Sequence, residues 1–517
     1  MEPSKTGTIT ETLQTLQDAI WERRPVLGEI MQKHGEKSLQ RYAKDFYDIN
    51  PLPECIVGSR KECVEIVREI TERRLGSDVA SAVAKQLEGF TLVSTSDHHA
   101  IIDNPYWVNA NIITSLPWQD TYEDLMPFLV VFSFASVSLN NASGFPRGIE
   151  FHGGMNGNGP VVRLPILPDK LKMGTVHGMR AYTADDIKNA VRLLRDREKQ
   201  GDVTAEKGAL VKTFLEGPLS DPAVLGQADL ASQITVLNYR LWPELFHDPG
   251  SPVAAPGMPG LLYVEIETIV TELLLRRHLK DKKSLINRAL FEPAFQQAIL
   301  KHFDGIPGAF CDADESGTYM FWATDEKFHR IRLMLRDGML HSRDGIDHFA
   351  FTPESLEQLL REKKIFPSTA LCYLMIALYY GFKCLGGFCQ VHDLTVQKRA
   401  WQEVLKDCGI QREVDAIDPL QTKEMNAGGM MLTYVRTAPE HLVIPTGIDM
   451  LLERALDTCP ALYRAYANKV TLNHSMQPML PGAYSVFYSL NERTIDTTKL
   501  TFEEVLHSTG LYKDYIL

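Results

Sequence analysis

The sequence predicts an α/β protein: a mainly parallel sheet, a helical segment ahead of it and a small antiparallel insertion. Three observations carry this. Between Phe90 and Leu167 the runs FTLVST, PFLVVFSFASVSL and VVRLPIL are short, continuously apolar and bounded by Gly, Pro and Asn. Such runs suit strands buried on both faces of a parallel sheet. Before them, from Thr8 to about Leu87, apolar residues recur three and four apart, and Thr8 and Glu11 stand at capping-box spacing. After them, Tyr319 to Phe351 alternates polar and apolar, with Asp-Gly pairs at Asp337-Gly338 and Asp344-Gly345, the signature of tight hairpins.

In chain order, a helical segment over 1–89 is expected to lead into the first part of the α/β core over 90–250. Ala110 to Leu116 would open the first crossover helix, and Thr183 to His247 would be helices broken near Gly201 and at Gly217-Pro218. Residues 251–352 would hold the Pro- and Gly-rich linker SPVAAPGMPG, further helices and the hairpins. Residues 353–517 would complete the core, with three helices between Pro353 and Ile410 and a loop from Cys384 to Gln390.

The chain has 517 residues, 54 basic against 66 acidic, for a formal charge of -12. That balance gives no field to gather nucleic acid or an anionic membrane surface. No apolar run reaches the roughly 20 residues that span a bilayer, and MEPSKTGTITETLQ lacks a charged-then-apolar leader. The eight cysteines form no CxxC pair, which fits a reducing cytoplasm. The expected partner is a small-molecule substrate, with homo-oligomerisation left open.

Asp97, His98 and His99 follow the first apolar run, so they fall at the carboxyl edge of the sheet, where open α/β sheets keep their ligands. Adjacent histidines on extended chain point opposite ways, so a metal held by both is disfavoured; local capping by Asp97 is the competing role. The second cluster, SLNNASGFPRGIEFHGG, follows another apolar run and offers Asn140, Asn141, Arg147 and His152. Arg147 presents a fork suited to carboxylate or phosphate. Capped turns and a surface arginine would explain the same letters.

GGMNGNG, Gly153 to Gly159, fits neither a dinucleotide nor a Walker pattern. In YYGFKCLGGFCQVHD, Gly386 and Gly387 permit close approach to a ligand and Gln390 is an available polar group. Cys384, Cys389 and His392 have a C-x4-C-x2-H spacing that lacks a fourth nearby ligand for zinc. Neither a GxSxG elbow nor an HExxH helix occurs.

Taken in order, these segments resemble the cysteine-adding enzymes of bacillithiol biosynthesis, which join an amino acid to a glucosaminyl-malate acceptor. Phe351-Thr352-Pro353, Phe366-Pro367-Ser368 and Gly386-Gly387 match that family's Phe-Ser-Pro, Phe-Pro-Thr and Gly-Gly-Pro progression, and KDCGI its helix ending in Gly-Ile. Asn104-Pro105-Tyr106-Trp107 lies at the family's Gly-Pro-Leu-Tyr place. Asp97-His98-His99 replaces a Gln-Gln pair, and Ser138 to Asn141 replaces Glu-Asp-His-Asp.

The resemblance implies a Rossmann-like core and a ligase or transferase joining an amine or amino acid to an acceptor. It also implies a nucleotide (ADP or ATP), with His98 or His99 at phosphate. In such an enzyme Asp97, His98 and His99 would be the catalytic set, His98 or His99 as general acid/base or phosphate donor, while Arg147 would hold a carboxylate or phosphate and Asn109, Asn140 and Asn141 would orient the substrate. A metal-dependent hydrolase or oxidase built on Asp97, His98, His99 and His152, with a divalent metal, is the alternative enzyme. A non-catalytic binding protein that keeps an enzyme's fold is the other.

Overall fold

A computed structural model describes residues 8–47, 57–117, 126–141, 143–246, 258–427, 434–438, 441–453, 460–498 and 500–510. Five strands, β1 (Leu92–Ser94), β2 (Phe128–Ser133), β3 (Gly260–Glu265), β4 (Lys383–Gly387) and β5 (Met425–Ala427), form one sheet. All its pairings are parallel, in the order β5-β4-β1-β2-β3. The first two apolar runs pair within it, with Ser94 opposite Val131.

The strands are apolar on both sides because both sides are covered. Leu92, Leu129, Val131, Leu261 and Leu385 join one core with the first three helices and the C-terminal ones. Val93, Val130, Phe132, Leu262, Val264 and Cys384 face a second core built from residues 63–87 and 266–420. Alternation of side chains along each strand divides them in this way. Parallel strands need crossovers, and the helices Pro105–Ser115 and Gln390–Asp407 connect β1 to β2 and β4 to β5.

The N-terminal segment is helical as expected, with Thr8 and Glu11 forming a reciprocal capping box on Ile9–Arg23. The Asp-Gly region lies outside the parallel sheet, in a separate five-stranded antiparallel sheet. Its order is His348–Ala350, Met339–Ser342, Arg330–Arg336, Phe321–Thr324 and Ile365–Pro367. Asp337 and Gly338 both have positive φ, 49° and 73°, as a two-residue hairpin that follows strand twist requires.

Two expectations are corrected. VVRLPIL is not a strand of the main sheet: Val161–Pro165 pairs antiparallel with Gly148–His152 in a hairpin. Val161 and Arg163 face solvent while Val162 and Leu164 are buried, the alternation of a strand with one wet face. Cys384 to Gln390 is not a loop, since its first half is β4. Most of the expected linker, 251–257, lies outside the described residues. Among those that are described, no helix is long and apolar enough to cross a membrane.

That hairpin is fixed to the body by a buried ion cluster. Lys207 Nζ reaches Asp449 Oδ1 and Glu453 Oε1, each at 2.5 Å, while His152 Nδ1 lies 2.7 Å from Asp449 Oδ2. Lys207 is fully buried. Charges removed from water in this way depend on one another, and deleting one strands the rest. Lys207→Ala is therefore expected to lower the unfolding free energy by about 3–5 kcal/mol. Urea titration checks this; a loss below ~1 kcal/mol would mean that water reaches the cluster.

Candidate functional site

Strands β1, β2 and β3 end in polar residues that share one face: Ser94, Ser133 and Glu265. Just past β1, Asp97 is wholly buried. Its carboxylate accepts from Asn111 Nδ2 (2.9 Å), Ser96 Oγ (2.8 Å) and the Tyr263 hydroxyl, and so ties β1 to β3 and to the first crossover helix. Burial raises its pKa against the pull of these donors. Asp97 is thus placed as an internal brace rather than at a surface.

The two histidines diverge, as extended geometry requires. His99 is buried with both nitrogens engaged, Nδ1 with Ser133 Oγ at 2.7 Å and Nε2 with the Ala231 carbonyl at 2.8 Å. The carbonyl can only accept, so Nε2 carries the proton and Nδ1 accepts from Ser133. Burial lowers its pKa. His98 is half-buried, with Nδ1 3.1 Å from Asn141 Oδ1 and its ring edge-on to Trp107 at 4.8 Å. Its Nε2 has no partner among the described residues. Burial holds it down to about 4, so the ring is neutral at pH 7.

The remaining sequence-selected groups are mostly engaged within the chain. Arg147 is buried and gives Nη1 to the exposed Asp169 at 2.8 Å, so its fork already holds a carboxylate. Asn140 is exposed, and Asn109, inside the crossover helix, donates to the Pro105 carbonyl at 2.8 Å. Gly386 receives the Gln390 side chain, which lies 2.6 Å from where a Cβ would be, and Gln390 donates to Thr95. Gly387 ends β4 beside β5. His152 belongs to the ion cluster. The structure thus brings Asp97, His98, His99 and Asn141 together, and leaves Arg147 and His152 in networks of their own.

No three of His, Cys, Asp and Glu converge on a metal-sized space among the described residues. The Cys384 thiol sits in the apolar core, and burial pushes both it and Cys389 up to about 12. Neither is poised as a thiolate ligand.

A cleft of about 520 Å³ opens where β3 ends, and sequence reasoning missed the residues that make it. Glu265, the last residue of β3, forms its base and takes a two-pronged contact from Arg74, with Nη2 to Oε1 at 2.8 Å. Burial alone would raise the Glu265 carboxyl; Arg74 reverses this and holds it well below the usual range. Asp229 lines one side and caps the helix Leu230–Leu241 by accepting from Ser232 N at 2.9 Å.

Arg73, Arg361 and Lys363 line the mouth, with Lys363 Nζ 3.5 Å from Asp229. His177, only 8% exposed, also lines the cleft. Its ring packs against Phe366 and its nitrogens have no hydrogen-bond partner among the described residues. Burial, helped by Lys363, pushes it down to about 4. Ala231, which anchors His99, is in the same wall. The polar strand end that pointed to Asp97 was equally visible in LLYVE, where Glu265 closes the apolar run. His177 and Lys363 carried no such signal.

Asp103, ahead of the crossover helix, is 2% exposed, and neither carboxyl oxygen has a hydrogen-bond partner among the described residues. Burial, with Glu150 adding to it, raises its pKa to about 8. No protein-family model matches the chain, and no curated protein is significantly similar to it.

Two expectations follow from this geometry. His99→Ala removes a buried ring and takes the partner from the Ser133 hydroxyl, a loss of about 2–4 kcal/mol, whereas His98→Ala stays within about 1 kcal/mol; chemical denaturation of the two variants checks the contrast. Asp103 takes up a proton on folding, because its folded pKa lies above the unfolded value near ~3.9. The stability it contributes is present below that value and drains at up to ~1.4 kcal/mol per pH unit as pH rises toward 8. Asp103→Asn, which has no proton to lose, gains on the parent between pH 5 and pH 8 in urea melts, and parallel curves would contradict the assignment.

Proposed function

We propose that the chain is an enzyme of small-molecule metabolism, a ligase or transferase that joins an amine-bearing substrate to an acceptor at the carboxyl edge of the parallel sheet. The observation that carries this is the cleft at the end of β3, which is of substrate size and contains a neutral, hydrogen-bond-free histidine at its wall. The fold engages neither nitrogen of that imidazole, so both are left to water or to a substrate in the cleft. The strand order 3-2-1-4-5 supports a Rossmann-like reading, in which ligands lie beyond the carboxyl ends of the strands. The likeness to the cysteine-adding enzymes points the same way, toward bond formation at an amine with ADP or ATP as the nucleotide.

In this reading His177 takes the proton from the attacking amine, and His98, whose Nε2 also lacks a protein partner, is the second acid–base candidate beside Asn141. Asp97 and His99 are positioning residues that hold the strand ends from which these groups project. The metal-dependent alternative has no converging donor set in its favour among the described residues.

The test is untargeted mass spectrometry on a metabolite extract incubated with the purified protein, ATP and Mg²⁺. The expected result is depletion of an amine-bearing compound with appearance of a condensed product, at least ten-fold slower with His177→Ala. Equal conversion by that variant would move the chemistry away from the cleft. No conversion by the parent protein would leave a binding protein.

A further inference from the structure

We infer that the cleft at the end of β3 takes a phosphate group, held between Arg73 on one side and Arg361 and Lys363 on the other, with His177 as the fourth contact. This rests on the reading of the cleft as the substrate site and names the chemistry that it recognises.

Charge accounting around the walls leads to an anion. Two of the acids there are paired, Glu265 with Arg74 and Glu272 with Arg276 at 2.7 Å, while Asp229 keeps its charge and faces Lys363 at 3.5 Å. The cations are not matched to the same degree. Arg73 makes no ion pair among the described residues, Lys363 lies only loosely against Asp229, and Arg361 shares its charge with Glu357 at 3.0 Å. What remains uncompensated is positive, in a chain whose overall charge is -12.

The number and placement of donors favour phosphate over carboxylate. Arg73 ends the helix Arg60–Leu75, Arg361 and Lys363 end the helix Pro353–Arg361, and His177 comes from a loop after the hairpin. A carboxylate also accepts three donors, as Asp97 does, but a tetrahedral dianion gives each donor a separate oxygen and brings the second negative charge that three cations match. A neutral imidazole next to a dianion gains proton affinity, so His177 becomes a further donor once the group is bound.

Lys363 adds an independent sign. It occupies the left-handed position that ends its helix, φ 54°, in a Schellman arrangement with Lys363 N on the Leu360 carbonyl and Lys364 N on the Leu359 carbonyl. Glycine is the residue that this position favours. A lysine there holds an unfavourable backbone in exchange for an ammonium at the cleft mouth.

The experiment titrates the full-length protein calorimetrically with inorganic phosphate and glucose 6-phosphate, with glucose as the uncharged control. Saturable binding of the first two and none of glucose is expected. Lys363→Gly is the decisive variant, because it suits the backbone: its Tm should equal or exceed the parent's while phosphate affinity falls at least ten-fold. Arg73→Ala should weaken binding similarly, and Lys188→Ala, on the exposed face of the helix Ala184–Gln200, less than two-fold. The His177 imidazole, followed by NMR, should titrate at higher pH with phosphate present.

Unchanged affinity in both Lys363→Gly and Arg73→Ala overturns the inference. If the parent binds no phosphate yet His177→Ala still abolishes turnover, the inference fails and the proposed function stands. If phosphate binds with these dependences but no conversion is found, the proposed function fails and the phosphate site stands.

Discussion

A parallel sheet buried on both faces has to end somewhere, and its ends must satisfy polar groups without water. In this molecule that constraint is met by the Asp97 carboxylate. It accepts from Asn111, Tyr263 and Ser96, and so joins the end of β1 to β3 and to the first crossover helix. Glu267 does the same one layer out, accepting the backbone amides of Ala135 (2.9 Å) and Ser136 (2.8 Å) just past β2. His99 closes the set by bridging Ser133 to Ala231. Remove these braces and the strand ends are left with unpaired amides and carbonyls in a dry interior, a cost the apolar faces would have to offset.

Bracing of this kind consumes the residues that look most chemical. A buried carboxylate with four donors, as Asp97 has once Ser94 is counted, or an imidazole with both nitrogens bound, has no valence left for a substrate. What a site needs is a group whose hydrogen-bonding capacity the fold leaves open. His177 and His98 satisfy that criterion, and Asp97 and His99 do not. The edge therefore sorts its polar residues into two populations: those that hold the strands and those the strands hold out.

Much of the architecture was legible from periodicity. The helical lead-in, the pairing of β1 with β2, and the separation of the Asp-Gly hairpins from the parallel sheet all follow from local patterns, because amphipathic period and turn chemistry are local quantities. Strand membership was less so. VVRLPIL has the composition of a buried strand, yet Val161 and Arg163 face water because its partner is a single hairpin strand. KCLGG carries two glycines and looks like a turn, yet it is β4, sandwiched between β1 and β5. Pairing on both sides overrides the low strand preference of Gly386 and Gly387, as tertiary context commonly does. The cleft was the least legible part, since Arg73, His177, Asp229, Glu265 and Lys363 are spread over nearly three hundred positions and only Glu265, closing an apolar run, stands out in the chain.

That dispersion is itself informative about how the cleft works electrostatically. Arg74 lies next to Arg73 in sequence, yet the two have opposite duties: one is buried against Glu265 and neutralises the base of the cleft, while the other stays at the mouth with no ion pair among the described residues. Had Glu265 been left unpaired, its charge at the base would repel any anion drawn in by the mouth. With Arg74 in place the base is close to neutral, and the field inside the cleft is set by Arg73, Arg361 and Lys363. A net-negative protein admits an anion only where such a local inversion is built, because long-range attraction is lacking and screening confines each charge to about 10 Å. The Arg74–Glu265 pair, which belongs to the sheet's edge, is therefore also the condition for a positive cleft.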